Sequence, residues 1–368
     1  MKTLRTPDDL VGAGLVGPRR LVELARVAER YAVAITPAVA ALIDPADPDD
    51  PIARQFVPDA RELDRGPHER EDPIGDAAHS PVEGIVHRYP DRVLLKPLHA
   101  CAVYCRFCFR REMVGPKGLG ALSPQALAAA LAYIESRPEV WEVIVTGGDP
   151  LILSPRRLRD LVRRLAAIAH VKVIRFHTRV PVVDPERVTP ALVRTLKAPR
   201  KATYLALHAN HAREFTPAAC AAIARLADAG IPLLGQSVLL RGVNDDPETL
   251  GALMRAFVEN RVKPYYLHHG DLAPGTAHLR TTLAEGQALV RALRGRLSGL
   301  CQPEYVLDIP GGHGKAPVGP GYLRRTDSGC EIEDYRGGRH AYPGESSSPR
   351  LPGEGFVPRA RSEPEGRG

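Results

Sequence analysis

Residues 101–111 read CAVYCRFCFRR, placing three of the chain's six cysteines, Cys101, Cys105 and Cys108, within eight residues. A β-rich run, RVLLKP (92–97), ends just before them, and a series of similar runs follows: EVIVTGG (142–148), VIRFHTR (173–179), TYLALHAN (203–210), PLLGQSVLL (232–240), KPYYLHH (263–269) and EYVLDIP (304–310). Helix-like stretches separate them, among them 125–136, 156–169, 217–229 and 247–259. Strand–helix alternation of this kind predicts parallel βα units. Six units and a seventh strand are too few for a closed eight-unit barrel, so the reading is α/β, a partial (β/α)6-type barrel over 86–325. Helical spacing of apolar residues between Leu21 and Ile35 adds an N-terminal helical region, 1–85. The Pro-, Gly-, Ser- and charge-rich end makes 326–368 a largely disordered extension. Parallel α/β barrels carry their chemistry in loops after the strands. Here the cysteines, TGGDP, HTR, HANH, HHGD and DIPGGHGK all fall at such strand ends.

Composition narrows the class. At 368 residues the chain has ample apolar sequence for a large core, and its N-terminus MKTLRTPDDL is charged, unlike a secretory leader. No run is long enough to span a bilayer. A cytoplasmic protein follows, with thiols kept reduced, so clustered cysteines read as metal ligands or catalytic groups. Cys220, Cys301 and Cys330 are scattered and read as idle or buried thiols. The net charge is +7, but several arginines lie in the tail and mark a solvated segment, so it points to neither nucleic acid nor membrane as a partner.

Two metal chemistries suit C-x3-C-x2-C. Structural zinc needs a fourth ligand, which His99 or the distant Cys301 could supply. An iron–sulfur cluster held by three thiolates leaves one iron open to an outside ligand, and then three cysteines are enough. Other segments have comparably divided readings. Gly147 and Gly148 in TGGDP are a close-approach site or a simple turn; His208 and Gln236 are ligand contacts or hydrogen-bonded core residues. Lys315 in DIPGGHGKAP is either an exposed turn residue or an amine desolvated for attack on an aldehyde. It is not a phosphate-loop lysine, because Ile309 stands where the first glycine belongs and Ala316 follows the lysine.

The cysteine pattern after the first strand resembles the radical S-adenosylmethionine enzymes. More specifically, LIDPADPDDPIARQ, SPVEGIVHRYPDRVLL, CAVYCRFCFRR, GQSVLLRGVND, PYYLHHGDLAPGTAHLRT and YVLDIPGGHGK are similar, in that order, to the landmarks of the lysine 2,3-aminomutase family, over about residues 40–325. The resemblance implies three cofactors: a [4Fe-4S] cluster on Cys101, Cys105 and Cys108, S-adenosylmethionine, and pyridoxal 5′-phosphate carried by Lys315. It implies S-adenosylmethionine contacts from Gly147, Gly148, Asp149, His208 and Gln236, and a pyridoxal phosphate pocket from Arg88, Tyr89 and Arg92. Arg110 would take the substrate carboxylate, and Asp271 with Asp308 the far ammonium of lysine. The implied reaction is conversion of L-lysine to L-β-lysine, fed by an electron donor such as flavodoxin or ferredoxin. Where the family has cysteines for an interface zinc, this chain has Asp246 and only Cys330 in the tail, so that site is missing and a homo-oligomer would form without it. Phe107 and His268 stand where the family has histidine and tyrosine. A β-lysine-forming enzyme acting for elongation factor P, an aminomutase for another amino acid, and a zinc-binding interaction protein are the alternatives.

Overall fold

A computed structural model describes residues 2–115, 120–326 and 329–342. Nine strands form one sheet in sequential order: β1 (Ile85–Tyr89), β2 (Arg92–Leu98), β3 (Glu142–Gly147), β4 (Val173–Thr178), β5 (Ala202–His208), β6 (Leu233–Val238), β7 (Val262–His268), β8 (Glu304–Ile309) and β9 (Gly314–Pro317). β2 to β8 are parallel, while β1 and β9 run antiparallel on the two edges. The edges do not pair with each other, so the barrel is open, as its strand count predicts. The flanking β1 and β9 were not among the strands read from sequence. Each is short, and Pro317 at the end of β9 suits only an edge.

The helices between the strands begin with one repeated device. Ser123, Ser154, Thr189, Thr216 and Asp246 each precede a proline, and each side chain accepts a backbone N–H of the first turn. An oxygen-bearing cap satisfies a donor the helix leaves open, and proline at the next position has no N–H to satisfy and a preset φ. Alternate strand residues such as Val143, Val145, Ile174, Phe176, Leu205 and Leu207 join Leu158, Leu161, Leu165, Ile223, Leu226 and Phe257 in the apolar core. The intervening positions carry Lys96, Glu142, Arg175, His177, His208, Gln236, His268 and Asp308. A strand sends successive side chains to opposite faces, so the polar set lines the inside of the arc.

Residues 1–319 form one compact unit, so the N-terminal segment is not a separate body. It holds short helices, Pro7–Gly12, Leu21–Arg30, Pro37–Ala40 and Ala53–Phe56. A second unit starts at Pro320 and contains a three-stranded antiparallel sheet, β10 (Leu323–Thr326), β11 (Gly329–Glu333) and β12 (Arg339–Tyr342). The expected disordered extension thus contains strands at 329–333 and 339–342, whose four- and five-residue alternation is too short to stand out beside so many Gly and Pro residues. Residues 343–368 lie outside the described residues.

Candidate active site

The cysteine loop leaves β2 at the C-terminal rim and is held there by the N-terminal segment. Tyr104 N–H donates to Ala34 O (3.1 Å) and Arg106 N–H to Gln55 O (2.8 Å). Buried Glu62 accepts from both Arg106 and Arg111, binding the loop to residues 60–63. Burial would raise the Glu62 carboxyl, but the two guanidiniums hold it below the ordinary range. All three loop cysteines are free thiols. Burial, reinforced by neighbouring acidic groups, pushes the Cys101 thiol well up, and burial pushes Cys108 up to about 11. Arg179, at the end of β4, places Nη1 3.0 Å from Cys105 Sγ.

The zinc reading loses one of its two candidate fourth ligands. Among the described residues no three His, Cys, Asp or Glu side chains are grouped so as to hold a single ion. Cys301 lies just before β8, at the end of the barrel opposite the cysteine loop, so it cannot supply a fourth ligand. A multinuclear cluster needs its thiolates farther apart than one ion does.

TGGDP locks β3 onto β2. Gly147 has φ +101°, and a Cβ there would meet Leu98 O at 2.6 Å; at Gly148 it would meet Ala100 O at 2.1 Å. Only glycine lets the two strand ends approach so closely. The Asp149 carboxylate accepts from Thr178 Oγ1 (2.7 and 2.9 Å), Arg179 N–H (2.7 Å) and Leu151 N–H (3.0 Å), so it braces the rim between β3 and β4. His208 ends β5, bonds Asn210 (3.1 Å) and stacks on Phe107 of the cysteine loop, 5.6 Å between ring centres. Gln236 lies beside it in register on β6, buried, with no side-chain hydrogen bond among the described residues.

The remaining expected residues meet at the open seam. Lys315, on β9, donates its backbone N–H to Tyr89 Oη (2.7 Å), bridging the barrel's two edges. Arg92 lies over the Tyr89 ring at 3.9 Å. Close by, Gly75 takes φ +69°, and a Cβ there would meet Gly312 N at 2.4 Å. Arg88 donates to Ile74 O (2.7 Å) and Asp76 (3.3 Å), leaving its buried Nε without a partner. Arg110 places Nε and Nη2 on the same Asp76 oxygen (3.1 and 2.8 Å). Asp76 therefore joins two of the expected binding residues. Burial works against its charge, but Arg110, Lys96 and Arg88 keep its carboxyl below the usual value.

Inside the arc, Lys315 Nζ is paired with Asp308 and lies 3.4 Å from His268 Nδ1 and 5.5 Å from the Tyr266 ring centre. Asp308 is held far below the ordinary carboxyl range: burial opposes this, but His268 and Lys315 outweigh it. Asp271, half-buried nearby, is pushed up to about 7 by the loss of solvent around it and by the charge of Asp308. Two carboxylates that cannot both ionise comfortably make a site for an added cation.

Comparison with known proteins places this arrangement. Residues 95–253 match the Radical SAM superfamily model. The L-lysine 2,3-aminomutase of Acetoanaerobium sticklandii is 45% identical over 81% of this chain and 72% of its own, and that of Clostridium subterminale 42% identical over 82% and 72%. The glutamate 2,3-aminomutase of Clostridioides difficile is 36% identical over 81% and 70%. The chain belongs to the lysine 2,3-aminomutase family. It is an isomerase of the radical S-adenosylmethionine superfamily, and the family's cofactors are a [4Fe-4S] cluster, S-adenosylmethionine and pyridoxal phosphate. Among solved structures, a radical SAM methyltransferase from Sphaerobacter thermophilus is similar at 20% identity and a TM-score of 0.44, over 61% of this chain and 68% of that one.

The residues present fit the aminomutase cofactors. Three free cysteines on one loop, with the Arg179 guanidinium against Cys105 Sγ, are a thiol donor set that a metal centre would complete. The unpartnered Arg88 Nε is a donor available to an anion. Sequence reading did not assign Asp76, His177, Arg179 or Tyr266. His177 and Arg179 were visible as HTR at a strand end, but Asp76 lies in a loop whose only signal was its aspartates.

Proposed function

We propose that the protein converts L-lysine to L-β-lysine, moving the amino group between adjacent carbons. One observation carries the choice of lysine: Asp308 pairs with Lys315 and Asp271 feels the charge of both, and a carboxylate pair accepts a terminal ammonium while repelling an acidic side chain. Bound cofactors would supply the radical initiation and the conjugated system through which the amine migrates. Cys101, Cys105 and Cys108 hold the cluster, and Gly147, Gly148, Asp149, His208 and Gln236 shape the S-adenosylmethionine side of the cavity. Lys315 anchors pyridoxal phosphate, with Arg88, Tyr89 and Arg92 around it. Arg110 orients the substrate carboxylate, itself held by Asp76, and its Nη1 makes none of the described hydrogen bonds. The arc's buried walls keep water from a reactive carbon radical. A flavodoxin- or ferredoxin-like donor supplies the electron, and the enzyme works in the cytoplasm; no helix of the described residues is long and apolar enough to cross a membrane.

Lys315→Ala tests the assignment. The variant is expected to keep its iron and sulfide and to cleave S-adenosylmethionine reductively to 5′-deoxyadenosine, while β-lysine formation is lost. Amino migration at the wild-type rate would contradict it.

A further inference from the structure

We infer that His268 is a catalytic proton carrier for Lys315, taking the ammonium proton so that the amine can bond a carbonyl carbon and returning it when the amine must leave. This rests on the reading of Lys315 as the pyridoxal phosphate anchor. The geometry narrows the choice of proton acceptor to two groups. Lys315 Nζ has two polar contacts among the described residues, the Asp308 carboxylate and His268 Nδ1 at 3.4 Å. The same His268 nitrogen lies 3.6 Å from Asp308 Oδ2, so lysine, imidazole and carboxylate form a triangle. An amine paired to a carboxylate is a cation and cannot attack a carbonyl; it needs a neutral base within reach.

Asp308 is poorly suited to that task because His268 and Lys315 hold it ionised. His268 is kept neutral by burial and by the nearby Lys315 charge, with Asp308 pulling the other way. Its surroundings are accounted for element by element. Lys315 approaches from β9 and Asp308 from β8; on β7 itself the Tyr266 ring packs edge-on at 5.7 Å. His177 on β4 and His208 on β5 interact with it at longer range, both held well below the usual histidine value by burial. Val238 lies opposite on β6. Asp271, from the loop after β7, acts on both Asp308 and Lys315.

The protons balance. Neutral His268 removes one proton from the Lys315 ammonium, leaving a free amine and an imidazolium beside Asp308. The amine adds to the carbonyl carbon, one N–H proton passing to the carbonyl oxygen. The imidazolium then protonates the resulting hydroxyl, which leaves as water as the C=N bond forms. His268 ends neutral, and the positive charge rests on the new C=N nitrogen. Release of Lys315 by an incoming amine runs through the same proton positions in reverse.

The test is the rate at which pyridoxal phosphate, added to cofactor-stripped protein, is trapped on Lys315 by borohydride, followed by peptide mapping from mildly acidic to alkaline pH. The wild type should show a limb that rises on the acid side of the ordinary histidine value and is level by neutrality. His268→Gln should lose that limb, reacting about a hundredfold more slowly at neutral pH and recovering only under strongly alkaline conditions. A purely structural effect of His268→Gln would slow trapping at every pH alike and keep the limb, and that result also overturns the proposal. Superimposable profiles for wild type and His268→Gln overturn the proposal. So does a wild-type profile with no limb on the acid side of neutrality, a result that needs no variant to fold. Absence of Lys315 among the trapped peptides at any pH would instead sink the anchor assignment, and this proposal with it.

Discussion

An aspartate whose carboxyl is pushed up to about 7 is about half protonated at neutral pH, and Asp271 is such a group. The cause is burial together with the Asp308 charge, so a bound ammonium should relieve it and drive Asp271 to ionise. The sign follows: below about 7 the free site is protonated and must lose that proton to bind a cation. The KM for lysine should therefore rise as pH falls through that value. Asp271→Asn should flatten this limb and raise KM by about 10- to 100-fold, the worth of about 1.5–3 kcal/mol for a hydrogen bond to a charge. A KM–pH series on the two proteins checks it. The identity of this residue was legible in HHGDL, next to a strand end; its perturbation was not, because that depends on Asp308 arriving from a strand nearly forty residues away. Arg110 shows the same limit. Its position after the cysteines marks it as functional, yet its partner Asp76 comes from a loop 34 residues upstream.

At the scale of elements, the cysteine loop has little structure of its own and takes its shape from contacts on both sides. Glu62 is buried between Arg106 and Arg111, and removing one partner of such a network leaves charge uncompensated. Glu62→Gln should cost about 3–5 kcal/mol, seen as a lower denaturant midpoint. On the other side, Gly148→Ala would force a methyl against Ala100 O. We expect a loss of about 1–3 kcal/mol and a lower iron content after reconstitution, measured by denaturation and iron assay. The strands were readable because β-rich runs alternate with helices opened by Ser/Thr/Asp–Pro caps. The buried ion pairs were not, since an arginine after a cysteine motif looks the same in sequence whether it faces solvent or an acid.

The unit that ends at Gly319 is an arc of parallel strands with an antiparallel strand on each edge, and the two edges meet through the Tyr89 side chain instead of a ladder. That opening puts Lys315 and Tyr89, far apart in sequence, at one seam. A partial barrel could be counted from seven strand-like runs. The closing contacts could not, because they join loops and edge strands too short to carry a periodic signal. We propose that the cofactors held by three cysteines at one rim and by Lys315 inside the same arc act together on lysine. Anaerobic incubation of the reconstituted protein with S-adenosylmethionine, pyridoxal phosphate, a reductant and L-lysine, followed by amino-acid analysis, tests it most directly. The account predicts β-lysine, with none formed when any one of the cofactors is left out. Lysine recovered unchanged by protein that carries its full iron and pyridoxal complement, or turnover of glutamate in its place, would contradict it.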